Sequence, residues 1–159
     1  MVDDAVVSGG VAGTFEEFFA TRFAELSRLA FLLTGSSAVS DEIAQDACEQ
    51  VLRRWDEVEH PRAYARRAVI SGARSWGRRR SRRVSYAVAE TDGAVGLDAD
   101  ALAVRDVLAD LPVAEREVLV LRFFADLRVD DIASALDIPA GTVKSHIHRG
   151  LVRMKKELS

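Results

Sequence analysis

Three groups of residues in this 159-residue chain could do chemistry, and in each case the chemistry is binding. The first lies near the carboxy end, where Thr142, Lys144, Ser145, His146, His148, Arg149 and Arg153 face away from a helical stripe of Val143, Ile147, Leu151, Met154 and Leu158. A shorter apolar repeat, Ile132, Ala133 and Leu136, precedes that stripe, with a tight break at Asp137 to Gly141 between them. This is the pattern of a helix-turn-helix, whose second helix packs on the first and presents polar and basic side chains to the major groove. Lysine and arginine neutralise phosphates, and Ser, Thr, His or Arg near the start of such a helix can reach base edges. Asp137 stands where many such turns use glycine, and Asp tolerates left-handed backbone better than most residues. An ordinary antiparallel helix pair with a solvated polar face is the plainer alternative.

The second group is the run RAYARRAVISGARSWGRRRSRR, Arg62 to Arg83. Helical spacing places Arg66, Arg67, Arg74, Arg78 and Arg79 on or near one side of a helix that also carries Tyr64 and Trp76, with Arg80 extending the run. Guanidinium groups beside aromatic rings suit single-stranded or melted DNA, where bases stack and phosphates pair with charge. A basic tail or a membrane-surface helix would show similar charge. The third group is an acidic helix face made of Asp41, Glu42, Gln45, Asp46 and Glu49, with Arg53 at its end. It fits either solvation or docking on a basic protein partner, since His60, His146 and His148 are too scattered to complete a carboxylate metal site.

Positioning these groups requires helices. Thr14 followed by Glu17 fits a capping box, and Phe15, Phe18, Phe19, Phe23, Leu26, Leu29, Ala30 and Leu33 then recur at helical spacing until Gly35. A second apolar stripe, Val39, Ile43, Ala47, Val51 and Trp55, joined by Ala44 and Leu52, lies opposite the acidic face. Pro61 suits the first turn of a third helix with Tyr64, Ala65, Ala68, Val69, Ala73 and Trp76 inward. Residues 84–100, VSYAVAETDGAVGLDAD, hold no sustained period and read as a flexible linker. Beyond it, Leu102 to Leu111 and Val113 to Leu127 read as helices, the latter carrying Val118, Leu119, Leu121 and Phe124. No strand-like alternation and no long repeat interrupts this pattern. The expectation is an all-α chain of two small helical domains, residues 14–83 and 101–159, after a disordered stretch 1–13.

Composition limits the functions available. The net charge of −3 hides segments of opposite character: residues 1–59 hold twelve acids against four arginines, while residues 60–83 hold nine arginines and no acid. Asp3 and Asp4 stand where a signal peptide needs positive charge, and no apolar run approaches the roughly 20 residues of a membrane span, so a cytoplasmic chain without membrane insertion is expected. The single cysteine, Cys48, excludes an internal disulfide and reads as a small buried hydrophobe. An enzyme would need a nucleophile with its base, a metal cluster or a glycine-rich phosphate loop, and the chain shows none; no cofactor and no metal are expected.

The three groups in this order resemble the extracytoplasmic-function (ECF, group IV) sigma factors of the sigma-70 family, and among them the actinobacterial sigma-E-like branch. LAFLLTGSSAVSDEIAQDACEQVLRRW, Leu29 to Trp55, is similar to the opening of conserved region 2. LPVAEREVLVLRF together with GTVKSHIHRGL, inside Asp110 to Leu158, is similar to region 4 and forms a highly specific pairing. The resemblance implies a factor that binds core RNA polymerase and directs promoter recognition and melting. It implies that Asp41, Glu42, Gln45, Asp46, Glu49 and Arg53 dock on the β′ coiled coil, with the β flap as a second polymerase contact. The minus-10 element would meet Arg66, Arg67, Ser71, Arg74, Trp76, Arg78, Arg79 and Arg80. The minus-35 element would meet Thr142, Lys144, Ser145, His146, His148, Arg149 and Arg153. The resemblance also implies an anti-sigma factor as a further candidate partner, whose existence the sequence leaves open. Ser71 departs from the family's usual Asn; it keeps a hydrogen-bonding group with shorter reach. The rival function is a stand-alone helix-turn-helix regulator, which leaves the amino-terminal half without a task.

Overall fold

The first helix is set by its ends. In the computed structural model, which describes residues 13–82 and 99–158, the Thr14 hydroxyl accepts from the Glu17 amide and the Glu17 carboxylate accepts from the Thr14 amide, a complete capping box. α1 (Phe15–Thr34) runs on to Gly35, whose φ of 73° ends it in left-handed backbone. α2 (Ser37–Arg53) and α3 (Pro61–Arg82) complete an amino-terminal bundle. Its core takes Leu26, Leu29, Ala30 and Leu33 from α1, Ala44, Ala47 and Val51 from α2, and Ala65, Val69 and Ala73 from α3. Trp55, just beyond α2, closes one end against Phe15 and Phe18, with ring centroids 5.7 and 5.8 Å apart.

Leu52 corrects the expected stripe: with Val51 fully buried, the next residue lies about 100° further round the helix and is 51% exposed. On α3 it is Ile70, unremarked in the pattern, that joins the core.

The carboxy-terminal group comprises α4 (Ala99–Ala109), α5 (Val113–Leu119), α6 (Val129–Leu136) and α7 (Ala140–Leu158). The expected continuous helix over Val113 to Leu127 is instead α5 followed by a π-helical turn, Val120–Phe124, closed by the Ala125 amide donating to the Val120 carbonyl at 3.0 Å. The extra residue shifts the register, so Phe123 turns outward, 61% exposed, while Val120 and Leu121 stay buried. Among the described residues all regular structure is helical, as expected of an all-α chain. Residues 1–12, 83–98 and 159 lie outside them, and with them most of the expected linker and amino-terminal stretch.

The two groups touch. α1 packs against α4 and the π turn, and the Arg105 guanidinium sits over the Phe31 ring at 5.6 Å.

Candidate nucleic-acid interface

The helix-turn-helix is built around one residue in left-handed backbone. After Leu136, Asp137 takes φ 58° and ψ 48°. The Ile138 amide donates to the Ala133 carbonyl at 3.0 Å and the Asp137 amide to Ser134 at 3.3 Å, which satisfies two carbonyls at the end of α6. α7 then starts at Ala140, so Gly141 belongs to its first turn rather than to the break. Ile132 and Leu136 of α6 and Val143 of α7 are buried in one cluster. Of the expected inward row of α7, Val143, Ile147 and Met154 face the core and Gly150 joins them, whereas Leu151 is 43% exposed and borders a cleft against α4 and the π turn; the Leu158 side chain lies outside the described residues. Lys144, Ser145 and His148 are exposed on the outer face, with Thr142 and His146 half-buried at its edges.

Arg149 and Arg153 do not project freely from that face. Both turn toward Glu115 on α5: the Glu115 carboxylate lies 2.8 Å from Arg153 Nε and 3.7 Å from Arg149 Nε. Arg149 also donates from Nη2 to His146 Nδ1 at 3.0 Å. Arg153, expected among the minus-35 contacts, is therefore tied to the scaffold in this structure.

Of the five α3 arginines expected on or near one side, Arg67, Arg74 and Arg78 share a face, while Arg66 and Arg79 lie off it. Arg62 pairs with Glu25 of α1 at 2.6 Å, and Arg66 is half-buried beside Leu29 and Phe124. Arg67, Ser71, Arg74 and Arg78 line a cleft of about 290 Å³ whose far wall is Ala135 of α6. Arg79, Ser71 and Trp76 line another of about 290 Å³ with Glu42 and Asp46 of α2. The Arg79 guanidinium donates to Ser75 at 2.8 Å, and Arg80 lies over the Trp76 ring at 5.2 Å. Ser71 thus borders both clefts, and the basic and acidic groups meet across the second.

Arg74 joins the two halves of the molecule. Its Nε is 3.3 Å from a carboxylate oxygen of Glu117 on α5, and its Nη1 donates to the Leu136 carbonyl at 3.3 Å. Burial pushes the Glu117 carboxyl above the usual glutamate range, although Arg74 and Arg116 pull it down. Burial likewise holds the Arg116 guanidinium below its ordinary value. Neither Glu115 nor Glu117 was foreseen from the sequence, because their partners lie far along the chain and no short-range spacing marks the pairing.

On α2, Asp41, Glu42, Gln45, Asp46, Glu49 and Arg53 are all exposed. Asp41 also accepts a hydrogen bond from the Ser27 hydroxyl, which ties the start of that face to α1. Cys48 is buried and burial pushes its thiol up. Among the described residues no cluster of His, Cys, Asp and Glu could hold a metal ion, and no helix is long and apolar enough to cross a membrane.

This arrangement defines an all-helical chain that ends in a helix-turn-helix and carries a separate arginine-rich helix. The family description "Sigma-70, region 4" matches residues 101–154. The chain is 34% identical over 153 residues to the RNA polymerase sigma-E factor of Streptomyces coelicolor, covering 91% of this chain and 85% of that one. It is 32% identical over 143 residues to the ECF RNA polymerase sigma factor SigL of Mycobacterium tuberculosis, covering 79% and 77%. Its fold is similar to the sigma factor RpoE of Bartonella quintana, solved with the anti-sigma factor NepR, at a TM-score of 0.73 and 20% identity over 91% of this chain and 96% of that one. CnrH, solved with the cytosolic domain of CnrY, gives a TM-score of 0.64 at 20% identity over 91% and 86%. The chain belongs to the ECF family of RNA polymerase sigma factors, and its function is that of a sigma factor in transcription initiation.

Proposed function

We propose a division of labour among the three surfaces. Residues 101–159 act as the upstream unit, in which the outer face of α7, led by Lys144, Ser145, His148 and Arg149, reads the minus-35 element in the major groove. Residues 14–83 act as the downstream unit, in which Arg67, Ser71, Arg74, Arg78, Arg79, Arg80 and Trp76 of α3 engage the minus-10 element and its opened strand. The segment between α3 and α4 joins them; the linker expected over 84–100 ends earlier, since Ala99 and Asp100 already belong to α4. The exposed face of α2 docks on the β′ coiled coil, and the carboxy-terminal unit meets the β flap. The observation that carries this reading is the turn at Asp137, which seats Val143 in the core and leaves Lys144, Ser145 and His148 outside.

The proposed role includes no bond chemistry and no cofactor, and places the chain in the cytoplasm with polymerase. An anti-sigma protein is a further proposed partner; the RpoE to which this chain is similar in fold was solved with an anti-sigma factor.

In vitro transcription with core polymerase, with and without this chain, on a library of promoter fragments tests the reading. Chain-dependent initiation at a shared pair of promoter elements is expected. Sequence-specific duplex binding by the chain alone, with no effect on polymerase, would replace it with a stand-alone regulator.

A further inference from the structure

Glu115 has no part in the reading above, yet its side chain is only 6% exposed and two arginines of α7 converge on it. A buried carboxylate is costly unless charge and hydrogen bonds compensate it, and here Arg153 and Arg149, one turn apart, supply both. The backbone is shaped to allow this. Gly150, between the two arginines, lies where α7 crosses α5 so closely that a Cβ would meet Leu119 Cδ1 at 2.8 Å and the Glu115 Cβ at 3.4 Å. The crossing brings the carboxylate within reach of both guanidinium groups.

We propose that Glu115 is a positioning residue for promoter recognition, holding Arg149 of α7 pre-ordered beside His146 through the buried carboxylate it shares with Arg153. This rests on the reading of α7 as the base-reading helix. Arg149 is held on two edges, its Nε toward Glu115 and its Nη2 on His146, while 51% of its side chain remains open to solvent. An arginine ordered in this way loses little further rotamer freedom on reaching a base or phosphate, whereas a free one loses much. Arg153 anchors the carboxylate from the next turn and so fixes the direction from which it pulls on Arg149. The residue that disposes the reading face therefore sits on α5, outside the helix-turn-helix itself.

The test uses the full chain assembled with core polymerase and a randomised duplex library, from which the preferred duplex and its single-base variants are taken. Glu115→Gln is the informative variant, since it keeps the size and an accepting oxygen for Arg153 while removing the charge. Its affinity for the preferred duplex should fall about three- to tenfold, the range for one side chain ordered on binding rather than before it. Base discrimination should relax at the same upstream positions as in Arg149→Ala. The double variant should be no worse than Arg149→Ala alone, because both changes act through one guanidinium. Equal weakening on every base variant, additivity with Arg149→Ala, or no change at all would show that Glu115 serves the fold only and would overturn the proposal. If Arg149→Ala itself left upstream base preference intact, the reading of α7 would fall as well, so the two failures are distinguishable.

Discussion

Two buried or half-buried glutamates show how neighbours of similar type set opposite electrostatics. Glu25 feels desolvation that would raise its pKa, but the hydrogen bonds and charges of Arg62 and Arg22 outweigh it and hold the carboxyl below the usual range. Its folded value is depressed, so its contribution is present above the unfolded value and lost as pH falls through the folded one. Glu25→Gln should therefore cost stability at neutral pH, at most about 1 kcal/mol because the pair is partly exposed, and the difference should vanish on acidification. Thermal unfolding of both proteins across pH 3 to 7 checks this, and a difference independent of pH would contradict it. Glu117 runs the other way, since its folded value is raised and charging it costs more in the folded state than in the unfolded one. As pH rises from the usual glutamate range through that raised value, Glu117→Gln should gain thermal midpoint relative to the parent chain. A parallel course of the two curves would show that desolvation of Glu117 is offset.

At the scale of elements, the sequence disclosed what local rules control. Thr14, Glu17 and Gly35 mark both ends of α1, and the turn at Asp137 was legible because two apolar periods stop and restart around it. The azimuth of side chains was less legible. Leu52 and Leu151 sit one position off a buried neighbour, and a four-residue repeat cannot tell the centre of an apolar stripe from its edge. The π turn was invisible because inserting one residue into a helix leaves composition unchanged, and only packing chooses where it falls. The arginines of α3 were legible as charge and not as partners, since Glu25, Glu117 and the Leu136 carbonyl come from other helices. The α5–α7 crossing yields a direct prediction: Gly150→Val, which adds bulk against Leu119 and Glu115, should cost about 1 to 3 kcal/mol by overpacking. Chemical unfolding measures it, and an unchanged midpoint would mean the crossing relaxes freely. On α2, Asp46→Lys with Glu49→Lys should abolish co-purification with core polymerase while helical content by circular dichroism stays the same. Retained co-purification would make that face merely solvated.

The whole molecule raises the question of how two surfaces meant for one promoter can be in contact with each other. Arg74 faces a cleft whose opposite wall is Ala135 of α6, and its guanidinium is occupied by Glu117 and the Leu136 carbonyl, so it is not available to a phosphate in this arrangement. The contact is not large in charge terms: the Arg74 side chain is 36% exposed, and a pair of that exposure contributes at most about 1 kcal/mol. That is still enough to move an equilibrium between closed and open arrangements about fivefold. Weakening the pair should shift the free chain toward separated halves, with the apolar contact of α1 on α4 opposing the shift. Dyes on Gln45→Cys of α2 and Lys156→Cys of α7 would report it by energy transfer, because Cys48 is buried with its thiol pushed up by that burial and should label far more slowly than an exposed cysteine. Glu117→Gln and Arg74→Ala should both lengthen the distance distribution. They should part in promoter binding with core polymerase: Glu117→Gln removes the competing charge but keeps the Arg74 guanidinium for a phosphate and so keeps affinity, whereas Arg74→Ala removes the contact and flattens the salt dependence by a slope of roughly one. Equal losses of affinity in both variants would assign the Arg74–Glu117 pair to the architecture of the promoter complex itself, and unchanged distances in both would leave the contact between α1 and α4 as what holds the halves together.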